Sequence, residues 1–208
     1  MPSADSELLA AWQAGDERAG ATLFERHYPA IKRFFDNKVP EAAEELIQGT
    51  FLKCLEARER FRGDSSLRTF LFAIAHNLLR EHFRSRHHRD PAAPLDTSNL
   101  SAHDLAPGPS TILAAKQQQR LLLDALRRIP LDHQIALELH YWEGYTAAAI
   151  GEVVGLPLGT IKTRLRRGRQ LLEAAIEQLA ENPELRQSTI SQVEQWAAGI
   201  RDQIRSQA

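Results

Sequence analysis

The sequence predicts an all-α protein built from two small helical domains, and three observations lead to this fold class. Apolar residues recur at spacings of three and four along most of the chain, which is the period of an amphipathic helix. No stretch shows the alternation that is typical of a strand. A proline-rich segment separates two groups of helical runs. We therefore expect domains at 1–89 and 111–180, a linker at 90–110 and a C-terminal extension at 181–208.

Composition limits the class of protein. A chain of 208 residues that is 43% hydrophobic and 25% charged can bury one large core or two small ones. Its apolar runs are shorter than the roughly 20 residues that a bilayer span requires, so we expect no membrane helix. Met1 to Glu7 lack the pattern of an export signal, and the single Cys54 excludes a disulfide framework, so we expect a cytoplasmic protein. Because the formal net charge is only −1, any basic surface must be local.

Four apolar stripes predict the helices of the first domain. The Arg62-Gly63-Asp64-Ser65-Ser66 segment is a loop by composition, and either Ser65 or Ser66 is expected to cap the helix that follows it. In chain order, the stripes are Leu8, Leu9 and Trp12; Ala19, Leu23, Phe24, Tyr28, Ile31, Phe34 and Phe35; Leu46, Ile47, Thr50, Phe51, Cys54 and Leu55; and Leu67, Phe70, Leu71, Ile74, Leu78 and Leu79.

The second domain is predicted to contain four more helices. They run from Ile112 to Ile129, from Asp132 to Trp142, from about Thr146 to Val154 and from about Pro157 to Leu179. A tail helix is also expected, because Asn182 is a good N-cap and Pro183 suits the first helical position. Its apolar face would consist of Val193, Trp196, Ile200 and Ile204.

The segment from Tyr145 to Arg169 has the layout of a helix-turn-helix. Gly155 is expected to adopt the left-handed turn conformation, and apolar residues are spaced to hold the two helices together. The second helix carries five basic residues between Ile161 and Gln170 and no acid, which suits the phosphates and base edges of a DNA major groove. A solvated basic face or a protein-binding helix is the alternative, and the glycine turn with its apolar spacing makes it the weaker one.

Two stretches resemble the extracytoplasmic-function (ECF) group of bacterial RNA polymerase sigma factors. GLPLGTIKTRLRRGR is similar to the DNA-reading helix of that family, and EELIQGTFLKCLEARERFRGDSSLRTFLFAIAHNLLREHFR is similar to its polymerase-binding and promoter-melting domain. With GDERAGATLFERHYPAIKRFF upstream, the resemblance covers the chain from about Leu8 to Leu179. It implies a factor that binds core RNA polymerase and promoter DNA, melts the promoter, and has neither a catalytic residue nor a cofactor of its own.

The resemblance assigns polymerase binding to one helix of the first domain. Gly49 stands there in place of the family's acidic residue, which costs about 1 kcal/mol of helix propensity and one charge. Without the neighbouring motif, Glu44 and Glu45 would be ordinary surface acids. The residues implied in polymerase binding are Glu44, Glu45, Leu46, Ile47, Gln48 and Phe51.

Contacts to the minus-ten promoter element are implied for the following loop and helix. Phe61, Arg62, Gly63 and Asn77 would line a pocket for an unstacked base, while Arg80, Arg84 and Arg86 would hold phosphates. Phe70 stands where the family usually has tryptophan, so it either stacks on a base or belongs to the core.

Contacts to the minus-thirty-five element are implied for the second helix of the helix-turn-helix. Ala149 and Gly151 replace the glutamate and alanine that are usual in the first helix, which leaves that helix less well specified. The implied contacts are His140, Lys162, Thr163, Arg166 and Arg167.

Other functions are less well supported by the sequence. An effector-binding regulator would share the helix-turn-helix but not the stretch from Glu44 to Phe51, and an enzyme should show a nucleophile, paired carboxylates or a phosphate loop. The histidines His82, His87 and His88 lie among arginines whose charges oppose a cation, so we expect no metal. An anti-sigma protein is a further partner that the resemblance suggests.

Overall fold

The computed structural model describes residues 4–61, 63, 65–89, 117–180, 183–187, 189 and 190. Within these ranges every regular element is a helix and no β-strand is present, which confirms the predicted all-α class. The helices are α1 (Ala4–Gln13), α2 (Glu17–Asp36), α3 (Ala43–Glu56), α4 (Leu67–Arg89), α5 (Gln117–Arg128), α6 (Leu131–Tyr141), α7 (Ala147–Val154) and α8 (Leu158–Leu179), with a 3₁₀ turn at Arg58–Arg60. The predicted linker and the apolar face of the tail helix lie outside the described residues.

In the first domain α2 packs against α1, α3 and α4. The Asp16 carboxylate caps α2 by accepting hydrogen bonds from the backbone N–H groups of Arg18 and Ala19, at 2.9 and 3.3 Å. Ser66 rather than Ser65 caps α4, because its Oγ accepts from the Thr69 N–H at 3.1 Å. The buried apolar residues include Leu23, Ile31, Phe34, Phe35, Ile47, Leu71, Phe72 and Leu79.

Replacing Gly49 with alanine should stabilise the protein. A Cβ built on Gly49 would lie 3.5 Å from Leu78 Cδ1, which is an ordinary van der Waals contact, and α3 would lose its interior glycine. We expect the free energy of unfolding, measured in urea, to rise by roughly 0.5–1 kcal/mol. Gly20→Ala is the contrasting variant and should lower it, since its Cβ would lie 2.4 Å from Trp12 Cδ1. A decrease for Gly49→Ala would show that this site does not tolerate a side chain.

The second domain folds around α8, which contacts α5, α6 and α7. Thr146 caps α7 by accepting a hydrogen bond from the Ala149 N–H at 3.2 Å. Gly155 ends α7 in the left-handed conformation at φ 70° and ψ 35°, which confirms the glycine turn. The core includes Leu123, Ile129, Leu137, Leu139, Ile150, Ile161, Leu172 and Ile176.

Gly151 has a packing role that the sequence did not indicate. The Leu156 N–H donates to its carbonyl at 3.0 Å, and a Cβ on Gly151 would lie only 2.7 Å from the Leu156 carbonyl oxygen. The turn between α7 and α8 therefore approaches α7 more closely than an alanine allows without a backbone shift. The glycine that weakens α7 locally is what permits this tight turn.

The two halves of the molecule also pack against each other, chiefly through α4 and α7. After α8, the helical residues 183–187 return to the protein, where Leu185 and Ile190 pack against the core and Thr189 is buried. Arg186 pairs with Glu177 of α8 at 2.8 Å. The described residues of the extension, 183–187, 189 and 190, therefore belong to the folded body.

Candidate nucleic-acid interface and apolar groove

The outer face of α8 is basic and exposed. Lys162, Thr163, Arg166 and Arg167 are all exposed, whereas Ile161 and Leu165 of the same helix are buried against the rest of the second domain. Thr163 Oγ1 donates to the Gly159 carbonyl at 3.1 Å, and Arg167 Nη1 donates to Gln170 Oε1 at 3.3 Å. The helical period thus places the predicted minus-thirty-five residues of this helix on one accessible side.

Arg164 is separated from these basic residues by its packing. Its guanidinium lies 2.7 Å from the Asp132 carboxylate, and its backbone carbonyl lies 2.9 Å from His133 Nδ1. Both partners belong to α6, so Arg164 joins α8 to α6 instead of extending the basic face. Of the basic residues between Ile161 and Gln170, this one serves the internal packing of the domain.

His140 lies on α6, half-buried, with its Nδ1 2.9 Å from the Tyr145 carbonyl oxygen. Its ring packs against Tyr141 in a T-shaped pair, and the Arg169 guanidinium lies 5.4 Å from the centroid of the Tyr141 ring. One imidazole nitrogen is therefore committed to the backbone, which fixes the orientation of the ring.

Leu158 was not selected from the sequence, although it is exposed at the first turn of α8. The residues at the N-terminus of the second helix are the ones that reach base edges in helix-turn-helix proteins. Its position directly after Pro157 is the signal that could have identified it. An apolar side chain there is suited to contact a thymine methyl group.

A polar cleft lies along α4. Asn77, Arg80 and Arg84 are exposed and line a cavity of about 270 Å³ together with Lys53, Ile74 and Glu81. Lys53 Nζ lies 3.2 Å from the Glu81 carboxylate across this cleft. The structure thus brings these three predicted minus-ten residues to one side of α4.

An aromatic pair near the start of α4 is not part of the lining of this cleft. The rings of Phe61 and Phe70 pack together with their centroids 4.9 Å apart, and both side chains are half-buried. Gly63 is exposed and has a positive φ of 77°. Arg62 lies outside the described residues.

An apolar groove opens between α2 and α3. Its volume is about 490 Å³, and Leu52 and Leu55 in its wall are 56% and 47% exposed. The Phe24 and Phe51 rings lie 4.9 Å apart in the groove. The lining residues are Phe24, Glu25, Tyr28, Ile47, Gln48, Phe51, Leu52 and Leu55.

The residues predicted to bind polymerase divide into two groups around this groove. Glu44, Glu45 and Gln48 are exposed, and Phe51 is half-buried in the groove wall. Leu46 and Ile47 are buried in the first domain's core. The sequence did not indicate that Leu52 and Leu55 are surface residues. Leu55 in particular belongs to the apolar stripe of α3 that was expected to be buried.

Buried titratable groups do not add reactive chemistry to these surfaces. Burial raises the pKa of the Cys54 thiol to about 12, so the thiolate that would react is not formed near neutral pH. Burial, together with the nearby Arg80 charge, lowers the pKa of His76 to about 4, which keeps this imidazole neutral. No group of three or more His, Cys, Asp or Glu side chains in the described ranges could hold a metal ion.

Two family models match the chain, one in each half. The model described as Sigma-70 region 2 matches residues 23–89, and the model described as Sigma-70, region 4 matches residues 119–172. Together these matches span more than half of the chain.

Curated relatives of similar length also match. The ECF RNA polymerase sigma-E factor of Haemophilus influenzae is 25% identical over 186 residues, which cover 84% of this chain and 96% of the relative. The protein of the same name from Escherichia coli K12 is 23% identical over 184 residues, covering 84% of this chain and 95% of the relative.

Two solved structures share the fold at 22% identity. The sigma factor RpoE from Bartonella quintana, in complex with the anti-sigma factor NepR, gives a TM-score of 0.58 over 72% of this chain and 91% of that one. CnrH, in complex with the cytosolic domain of CnrY, gives 0.63 over 86% of this chain and 100% of that one. No helix in the described part of this chain is both long and apolar enough to cross a membrane.

Proposed function

The chain belongs to the ECF group of RNA polymerase sigma factors. On this basis we propose which of its surfaces binds core polymerase and which surfaces bind the two promoter elements. It is a transcription initiation factor and not an enzyme, so bond formation is left to the polymerase. The assignment of surfaces rests chiefly on the basic face of α8. This face is exposed, whereas the other side of the helix is buried in the helix-turn-helix.

We assign minus-thirty-five recognition to this face of α8. Arginine and lysine side chains can pair with phosphates or with guanine in the major groove, and the threonine hydroxyl can meet either kind of base edge. His140 contributes from α6 with the ring nitrogen that does not face the Tyr145 carbonyl. The four contacts assigned on α8 are Lys162, Thr163, Arg166 and Arg167.

Minus-ten recognition is assigned to the first domain. The Phe61 and Phe70 rings offer a stacking surface for an unpaired base. Arg62 and Gly63, which follow Phe61 in the sequence, are assigned to the same contact. Asn77 can hydrogen-bond a base edge from the polar cleft, where Arg80 and Arg84 supply positive charge for the phosphates of the displaced strand.

Core polymerase is proposed to dock on the groove between α2 and α3. Exposed leucines beside aromatic rings provide an apolar centre, and Glu44, Glu45 and Gln48 provide a polar rim. Leu46 and Ile47 act indirectly, because their burial fixes α3 in position. A surface with this arrangement is typical of protein–protein interfaces.

The remaining assignments follow from this role. We propose that 1–89 binds polymerase and melts DNA, that 90–110 is the linker, that 111–180 reads the upstream element and that 181–208 is an extension. The protein would work in the cytoplasm, where core polymerase is present. An anti-sigma protein is a candidate partner, since the similar sigma factor from Bartonella quintana is seen in complex with one.

Reconstitution with core RNA polymerase tests the proposed function. The purified protein should co-elute with core enzyme, and the 5′ ends of transcripts made from genomic fragments should share one pair of upstream motifs. Core enzyme alone is the control, and it should give no such shared motifs. Failure to co-elute, or transcripts identical to those of the control, would overturn the assignment.

Phe70→Ala should slow promoter melting. Removing one ring of the Phe61–Phe70 pair should cost about 1–3 kcal/mol of base stacking, or roughly 5- to 150-fold in open-complex formation. A 2-aminopurine probe in the minus-ten element would report the melting. Phe70→Trp is the matched control and should retain it. An equal defect on a promoter with a mismatched, already open minus-ten element would contradict a role in melting.

A further inference from the structure

One side chain of α1 is bonded to the loop that carries Phe61. Gln13, the last residue of α1, donates from its Nε2 to the Phe61 carbonyl at 2.9 Å and to the Arg58 carbonyl at 3.3 Å. Because both partners are carbonyl oxygens, only the amide nitrogen of Gln13 can face them, and its two N–H groups can serve one carbonyl each. These carbonyls belong to the first residue of the 3₁₀ turn and to the residue that follows the turn. Gln13 therefore holds both ends of this turn.

Backbone hydrogen bonds fix the same turn from within. The N–H groups of Arg60 and Phe61 both donate to the Ala57 carbonyl at 3.0 Å. Phe61 then leaves the turn in an extended conformation, with φ −71° and ψ 106°, and its ring packs on Phe70. The carbonyl that Gln13 holds at the shorter distance thus belongs to the residue that carries the ring. A shift of this carbonyl would move the ring with it.

The position of Gln13 is fixed by the residue before it. Trp12 is 3% exposed, and its ring forms a T-shaped pair with Phe24 of α2, with the centroids 5.4 Å apart. A Cβ built on Gly20 would lie 2.4 Å from Trp12 Cδ1, so the indole lies directly against the backbone of α2. Packing this close leaves the C-terminal end of α1 little freedom to move.

The other end of α1 is also attached to α2. The Asp5 carboxylate pairs with the Arg26 guanidinium and lies 3.0 Å from His27 Nε2. With Asp5 at one end and Trp12 at the other, α1 is held against α2 along its length. It is therefore a rigid support from which Gln13 reaches the loop.

The sequence after Phe61 does not by itself fix the position of the ring. Gly63, two residues later, has a φ of 77°, and glycine adopts positive and negative φ with similar ease. A ring that is already in place when an unpaired base arrives avoids the entropy cost of ordering the loop on binding. None of the residues assigned above to DNA or polymerase lies on α1. Its bonds to Arg58 and Phe61 are thus a route by which α1 can act on the minus-ten site.

We propose that Gln13 is a positioning residue of the minus-ten site. Its two hydrogen bonds, the Gln13 tether, hold the backbone at Arg58 and Phe61 so that the Phe61 ring is in place to stack on an unpaired base. Gln13 acts through Phe61 and does not contact DNA itself. The inference rests on the proposed assignment of Phe61 to minus-ten recognition, and it adds to that assignment a residue 48 positions earlier in the chain.

Hydrogen–deuterium exchange in the free, full-length protein tests the tether. Gln13→Met keeps a side chain of similar length without an N–H donor or a charge. The amides of Arg60 and Phe61 should exchange about fivefold faster in this variant, because two hydrogen bonds between uncharged groups are lost near the surface. Glu7→Met, at an exposed position of the same helix, is the matched control and should leave this exchange unchanged. Equal exchange rates in the two variants would overturn the proposal.

Promoter opening tests whether the tether acts through Phe61. With a 2-aminopurine probe in the minus-ten element, holoenzyme containing Gln13→Met should open a mapped promoter about fivefold more slowly, while its Kd for core polymerase stays unchanged. In a Phe61→Ala background the same substitution should change the rate less than about twofold, because the ring that Gln13 positions is gone. An equal slowing in both backgrounds would mean that Gln13 acts by a route other than Phe61, and the proposal would be wrong.

The inference and the proposed function fail in different ways. If Phe61→Ala slows opening but Gln13→Met does not, the positioning role is overturned and the proposed function stands. If the Phe61→Ala protein opens the promoter at the rate of the unaltered protein, the assignment of Phe61 to the minus-ten site is overturned, and the inference falls with it.

Discussion

Replacing Lys162, Thr163, Arg166 and Arg167 together with alanine should abolish minus-thirty-five recognition. The four side chains are exposed on α8 while Ile161 and Leu165 hold the helix from its other side, so the fold should survive the change. Each lost base contact should cost about 1–3 kcal/mol, so promoter-directed transcription should fall at least about 100-fold. Run-off transcription from a mapped promoter, with circular dichroism of the variant, measures both effects.

The single substitutions should separate base readers from phosphate contacts. Replacing a base-reading side chain should relax the sequence preference at one position. Replacing a phosphate contact should weaken binding to all sequences and reduce the slope of log affinity against log salt concentration by about one. The paired substitution Glu173→Ala and Gln178→Ala, at exposed positions further along α8, is the control. If the quadruple variant kept minus-thirty-five preference, α8 would not be the reading helix.

Leu52→Asp should weaken binding to core polymerase strongly. Leu52 is exposed in the free protein, so the substitution leaves no cavity, but a polymerase surface seated on the groove would have to desolvate the new carboxylate. We expect a loss of about 2 kcal/mol, which is roughly 30-fold in Kd. Titration of labelled core enzyme would measure the Kd, and urea unfolding should show nearly unchanged stability.

Ala174→Asp is the matched control for this second variant. It adds the same carboxylate at an exposed helical position of the second domain, away from the groove. Its Kd for core polymerase should equal that of the unaltered protein. Equal affinities for Leu52→Asp and Ala174→Asp would exclude the groove between α2 and α3 as the docking surface.

The helices, their turns and their apolar faces could be predicted from the sequence, because they depend on residues that are close together in the chain. The period of apolar residues predicted the helices, and Gly155 marked the turn because a left-handed conformation suits glycine. The same period placed Ile161 and Leu165 inside and Arg166 outside. Periodicity could not show that Arg164 turns towards Asp132, since that depends on where α6 lies.

Tertiary packing decided which predicted residues share a surface. Leu46 and Ile47 belong to the family's polymerase-binding stretch, yet they are buried, while Leu55 of the apparent core stripe is exposed. The choice follows from the positions of α2 and α4, which both pack on α3 but leave an open groove between α2 and α3. A stripe in a sequence identifies an apolar face but not the neighbour that covers it.

The sequence by itself determined the helices, the helix-turn-helix and the family of this protein, because short-range spacing and local motifs carry that information. Only the tertiary structure revealed that Lys38 and Glu138, 100 positions apart, meet in a buried ion pair between the domains. Lys38 follows the end of α2 and Glu138 lies within α6, and each is an ordinary charged residue in its local sequence. Their burial is a property of two surfaces brought together, and no pattern within either local stretch of sequence encodes it.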